Sequence, residues 1–208
     1  MAATRLALGL SLLSLSLGAS AAAQDDLRAE RTRGQAGAPV TIYEMSDFQC
    51  PYCAQWVRTT LPALEREYVA TGKVKLVFVN YPLPMHPNAE PAAELAMCAA
   101  RQGRFWPMHD LLFRHQNAWA GLPEPATYFL SLGDSAGADR DALVRCLRSH
   151  ATRELVRQDA QGSVRSGATG TPSFYLEQGI MKGVIPIEVF RQVLDSIIQL
   201  KTRATSTP

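Results

Sequence analysis

What this sequence has little of narrows the field first. Its 208 residues include four cysteines and four histidines, and only Cys50 and Cys53 form a closely spaced cysteine pair. No second C-x-x-C follows, and His86, His109, His115 and His150 show no ligand spacing with Cys50. A zinc ribbon needs two such pairs, or one pair with histidines nearby, so no metal is expected. Charge of one sign is scarce too: 21 lysines and arginines nearly balance 19 aspartates and glutamates, for a formal net charge of +2. The arginines are scattered among acids, as in Leu27-Arg-Ala-Glu-Arg-Thr-Arg33, which reads as a solvated face and gives no reason to expect nucleic acid. No apolar run reaches the roughly 20 residues of a membrane span. Neither an internal repeat nor an organic-cofactor motif is present.

The longest apolar run, Leu6 to Leu17, follows the lone charge of Arg5 and precedes the small residues Gly18-Ala-Ser-Ala-Ala-Ala23. A basic start, a short apolar stretch and an A-x-A site describe a cleaved secretory signal. Cleavage is expected after Ala23, with Ala21 the next choice. No cysteine follows the run, so a lipid anchor is not expected. The mature chain is expected in an oxidising space, the periplasm, where disulfides persist.

With 47% apolar residues, the rest can build one sizeable core. Gln24 to Ala38 is polar and reads as a flexible arm. Val40-Thr-Ile-Tyr-Glu-Met45 is β-branched and aromatic, hence a strand. From Cys50 the period changes: Trp56, Val57, Leu61, Leu64, Tyr68 and Val69 recur at helical spacing up to Gly72. Lys73 to Asn80 is a second strand. Met85 to about Gln161 is almost wholly helical in pattern, with Asn88 a candidate helix cap. Strands return at Ser173–Glu177 and Ile180–Val184, and a closing helix starts at Pro186.

The dithiol therefore sits where the first strand meets the first helix. Pro51 suits a first helical position. Unpaired backbone N–H groups and the positive end of the helix dipole stabilise an anion there, which favours Cys50 as a thiolate, the species that attacks disulfides. A purely structural disulfide at this spacing would close a tiny loop and constrain little of the unfolded chain. Thr171-Pro172, leading into a strand, could be an ordinary turn. Taken with the dithiol, it is expected to be a cis bond that places backbone groups beside the cysteines.

Three elements, Asp47-Phe-Gln-Cys-Pro-Tyr-Cys53, Gly103-Arg-Phe-Trp-Pro-Met-His-Asp110 and Gly170-Thr-Pro-Ser-Phe174, resemble the DsbA-like thiol:disulfide oxidoreductases of the thioredoxin superfamily. The resemblance runs from about Gly37 to Leu200. It implies an α/β thioredoxin fold with a helical insertion between its β-α-β and β-β-α halves. The expected division is a signal at 1–23, an arm at 24–37 and a first half at 38–84. A helical insertion at 85–162, a second half at 163–200 and a frayed tail at 201–208 complete it.

The resemblance also implies roles. Cys50 would be the exposed nucleophile and Cys53 the buried resolving thiol, with Thr171, Pro172, Pro51 and Tyr52 along the client groove. Glu44 matches the buried acid thought to relay protons to the inner cysteine; a solvent-facing carboxylate on a strand edge is the competing reading. Asp47 reads as a turn or capping residue. Phe48, Tyr52 and Trp56 are candidates for an apolar client surface, Trp56 equally for the core. Cys98 and Cys146 fall on apolar helical faces in the insertion, and a structural disulfide between them is expected over two buried free thiols. The implied partners are reduced or misoxidised exported clients and a membrane redox partner that recycles the dithiol; the implied state is a monomer without cofactor. Tyr52 replaces the histidine of the family's best-known oxidant, so the Cys50 pKa is expected to be lowered less fully. An oxidase is the leading expectation, ahead of a reductase or isomerase of the same fold and of a non-catalytic chaperone or binding protein.

Overall fold

The computed structural model describes residues 27–177 and 179–206. The expected secretory signal lies outside them. Five strands are described: β1 (Thr32–Arg33), β2 (Val40–Ser46), β3 (Val74–Asn80), β4 (Ser173–Leu176) and β5 (Gly179–Lys182). They form one sheet in the order β1-β3-β2-β4-β5. The β2–β3 pair is parallel, and the remaining pairs are antiparallel. A parallel pair needs a crossover, which α1 (Pro51–Thr59) and α2 (Leu61–Leu64) supply, followed by a wide turn over Glu65–Val69. A single helix was expected up to Gly72. Pro62 cannot donate an N–H and its ring crowds the preceding turn, and the chain breaks at Thr60 with φ −113°.

The insertion between β3 and β4 holds α3 (Ala89–Ala100), α4 (Phe105–Arg114), α5 (Gln116–Trp119), α6 (Ala126–Ser135), α7 (Arg140–Arg148) and α8 (Arg153–Arg165). Its core runs through Leu95, Phe105, Leu112, Trp119 and Leu143, and continues into the sheet region through Phe48 and Phe78. A second core joins Val40, Ile42, Leu76 and Phe174 to Trp56 and Leu64, and to Phe190 and Leu194 of α9 (Ile187–Ser206). The alternation of β2 puts Ile42, Glu44 and Ser46 on one face. The fold is the expected one.

Two expectations at the ends are corrected. The arm is not flexible over its described part. Leu27 is buried, β1 pairs with β3, and Arg31 is buried against Asp159, also donating to the Leu27 and Phe78 carbonyls. Arg33 pairs with Glu65 and Asp110 and stacks over Trp106. A basic stretch taken for a solvated face instead pins the sheet edge to the insertion. Gly34, at φ +104°, lets the chain turn away where a side chain would meet the Val74 carbonyl at 2.6 Å. At the other end the frayed tail is a continuation of α9 to Ser206. Lys201 holds that segment by donating to the Pro39 carbonyl at 2.7 Å and pairing with Glu177.

Candidate active site

The site is built on one helix end. Cys50 occupies the capping position of α1 in extended conformation, with Pro51 at the first helical position. No acidic residue stands in the first turn, and Pro51 brings no N–H, so the early N–H groups have no built-in acceptor. The Cys50 pKa is lowered from 9.0 to about 6. The hydrogen bond from the Cys53 thiol is the largest cause; burial opposes it, and Thr171 and the N–H groups of Cys53 and Tyr52 add to it. Cys53 moves the other way, well above 9.0, first because it is buried and then because its thiol serves Cys50. The two sulfurs, both present as thiols, are thus unlike: one gives up its proton readily and the other retains it.

Thr171 and Pro172 come to this pair from the far end of the chain, through a cis peptide bond. The Thr171 carbonyl accepts from the Cys50 thiol at 3.4 Å. The Thr171 hydroxyl is buried without a partner, leaving a donor the thiolate can recruit. Pro51 and Tyr52 are exposed, Tyr52 by 61%. Cys50 itself is only 3% exposed, which corrects the expectation of an exposed nucleophile: its sulfur is turned against the Thr171 carbonyl. The apolar surface is also smaller than expected, because Phe48 and Trp56 are buried. Phe48 stacks on Phe78 and packs against Phe113 and the buried His109. The strands either side of β2 exclude the edge reading of Glu44. Glu44 is fully buried, neither carboxyl oxygen has a hydrogen-bond partner, and burial raises its pKa to about 8. Ser46 lowers the pKa of both Glu44 and Cys53, and its buried hydroxyl makes no hydrogen bond of its own.

Sequence reasoning missed how tightly the loop before the cysteines is fastened. Asp47 Oδ1 accepts the Gln49 N–H at 2.7 Å, the turn role expected of it. Its Oδ2 accepts the Leu83 N–H at 2.8 Å and faces His86 Nδ1 at 2.7 Å. From the insertion, the Gln116 side chain donates to the Phe48 and Cys50 carbonyls at 2.7 and 3.0 Å. Asn88 does not cap α3 with its side chain. Its backbone N–H meets Gln49, while its side-chain amide donates to carbonyls after α5. Only the short Asp-x-Gln turn was detectable in sequence; Gln116 and His86 carried no local signal.

Within the insertion Cys98 and Cys146 are disulfide-bonded, well away from the dithiol in sequence and tying α3 to α7. Two cavities, of about 450 and 490 Å³, are lined by neither Cys50, Cys53, Thr171 nor Pro172. A lowered thiol pKa beside a raised one is the arrangement that thiol exchange uses.

Comparison with known proteins agrees with this geometry. The sequence model described as thioredoxin matches residues 26–196. A probable disulfide bond formation protein D of Bacillus anthracis is 30% identical over 152 residues, covering 71% of this chain and 69% of that protein. A Na(+)/H(+) antiporter NhaA 3 of Salinispora tropica is 36% identical over 148 residues, but the chain spans only 21% of its length. Among the described residues no helix is long and apolar enough to cross a membrane. Of solved structures, Wolbachia pipientis alpha-DsbA1 superposes with a TM-score of 0.76 at 19% identity, covering 85% of this chain and 94% of that one. Oxidised BdbD of Bacillus subtilis gives 0.74 at 21%, covering 81% and 92%.

Proposed function

The chain belongs to the thioredoxin family, on its DsbA-like branch, and from that premise we propose that it is an exported thiol:disulfide oxidoreductase that oxidises client proteins. The observation that carries this reading is the opposition of the two sulfurs: a Cys50 thiol at about 6 beside a Cys53 thiol pushed far up. In the oxidised enzyme a client thiolate attacks Cys50 Sγ. The Cys50–Cys53 bond breaks, and Cys53 leaves with the electron pair and takes up a proton. A second client thiolate then attacks the client sulfur of the mixed disulfide. The client disulfide forms, and Cys50 departs as a thiolate. Two electrons have passed from client to couple, and a membrane redox partner removes them.

The last departure is favoured because the weaker base is the better leaving group. Thr171 and Pro172 line the groove that holds the client strand, with Pro51 and Tyr52 on its rim. Glu44, protonated across the neutral range, is a nearby proton source for Cys53. The reading includes export to the periplasm through residues 1–23, reduced or misoxidised exported proteins as clients, and a monomeric enzyme. Thr171 favours one second reading, an isomerase, because threonine is common there among the isomerases of the family.

The test is client trapping. Cys50→Ala is expected to abolish oxidation of a reduced client, and Cys53→Ala to accumulate a mixed disulfide through Cys50. A Cys53→Ala protein whose Cys50 thiolate forms no covalent adduct with a disulfide-bearing partner removes Cys50 as the attacking sulfur. Refolding of scrambled client without added oxidant would assign the isomerase instead.

A further inference from the structure

Asp47 is tied to both cysteines through its main chain and to a single ionisable side chain through its carboxylate. Its N–H donates to Cys53 Sγ at 3.5 Å, and its carbonyl accepts the Cys50 N–H at 3.1 Å. The carboxylate is buried and faces three donors: the Gln49 and Leu83 N–H groups and His86 Nδ1. A carboxylate only accepts, so the ring nitrogen at 2.7 Å carries the proton. Burial raises the Asp47 pKa, and these donors oppose that rise by favouring the anion. The residue that carries it is bonded through its main chain to both cysteines, one of which must itself become an anion. His86 lowers the Asp47 pKa through its hydrogen bond and its charge, and it is part-exposed on the turn between β3 and α3. The titratable groups bonded to the Asp47 main chain are Cys53 on α1 and Cys50 at its cap.

Resting on the oxidoreductase reading above, we propose that Asp47 and His86 are a positioning pair that sets the oxidising strength of the Cys50–Cys53 couple. Asp47 fixes the loop but places a negative charge near the forming thiolate, and His86 offsets that charge. The reduced form is therefore stabilised less than the helix end alone would allow, and more than an uncompensated Asp47 would allow. A device of this kind tunes the couple without touching either sulfur.

The prediction depends on charge, which separates it from simple loosening of the loop. The equilibrium constant of the couple against glutathione is measured for the full chain, Asp47→Asn, His86→Gln and His86→Arg, together with titration of the Cys50 thiolate. Asp47→Asn removes the anion and is expected to make the couple more oxidising, by up to about tenfold, or roughly 30 mV. His86→Gln keeps a donor but no charge, and is expected to make it several-fold less oxidising. His86→Arg restores donor and charge, and is expected to return the constant to the wild-type value or above. A merely structural pair would weaken the oxidant in all three variants alike, and that result overturns the proposal. Should Asp47→Asn fail to fold, the split between His86→Gln and His86→Arg still decides it. A wild-type protein that does not equilibrate with glutathione would instead overturn the oxidoreductase reading itself.

Discussion

The asymmetry of the two thiols has a consequence that can be followed with pH. A group whose folded pKa is depressed stabilises its state above the ordinary pKa, and loses that contribution as pH falls through the folded one. Cys50 is depressed from 9.0 to about 6. From Cys50 alone, the reduced protein gains about 4 kcal/mol over an ordinary thiol above about pH 9, near pH 7 about 1.4 kcal/mol, and below about pH 5 almost nothing. Near neutrality the gain is worth roughly 30 mV of extra oxidising power, and at the alkaline limit roughly 90 mV. Cys53, raised well above 9.0, keeps its proton throughout. Reduction should therefore take up two protons below about pH 6 and one above it. The potential should fall by about 59 mV per pH unit on the acid side and by about 30 mV per unit on the neutral side. Equilibration with a glutathione buffer from acid to mildly alkaline pH, with the two forms separated after acid quench, gives the curve directly. A single slope of two protons through neutrality, with no break near pH 6, would mean that Cys50 stays protonated, and the asymmetry of the two thiols would fall with it.

Glu44 gives the opposite sign. Its pKa is raised from 4.5 to about 8 by burial, so the folded state binds the extra proton and loses stability as pH rises between those values, by up to about 5 kcal/mol. Glu44→Gln is expected to flatten that slope in denaturant unfolding and to slow the release of Cys53 from the disulfide; parallel stability curves for the two proteins would contradict the assignment. Cys98→Ala with Cys146→Ala opens a loop with a sequence separation of 48. Chain entropy puts the loss near 4 kcal/mol, read as a lower denaturant midpoint. The couple is expected to keep its potential, because the bond lies outside the site; a potential that shifted strongly would show the insertion coupled to the dithiol.

The organisation of the chain was legible because its signals are local and periodic. Strand, helix and strand are written in the alternation of Val40–Ser46, the helical stripe after Pro51 and the run Val74–Asn80. The dithiol at their junction follows from that order alone. The N-terminal arm was misread because polar, charged composition was taken for solvation, and the tail because it carries no apolar stripe. Arg31 and Arg33 are spent on partners more than thirty residues away, and no local pattern reports a partner at that distance. The break at Thr60 was foreseeable from Pro62, whose ring cannot continue an α-helix.

The amino-acid order by itself determined where the reactive pair stands, which residues can form the sheet around it, and that a proline loop must return to it, since helix ends, β-branched runs and X-Pro bonds act through neighbours in the chain. Tertiary structure alone decided that Cys50 lies beneath Thr171, that Glu44 is sealed in the central strand without a partner, and that Asp47 meets His86. Those are properties of burial and of groups brought together across 121 positions of sequence for Cys50 and Thr171 and 39 for Asp47 and His86. Desolvation and Coulomb energy depend on distance in space, which the chain acquires only on folding.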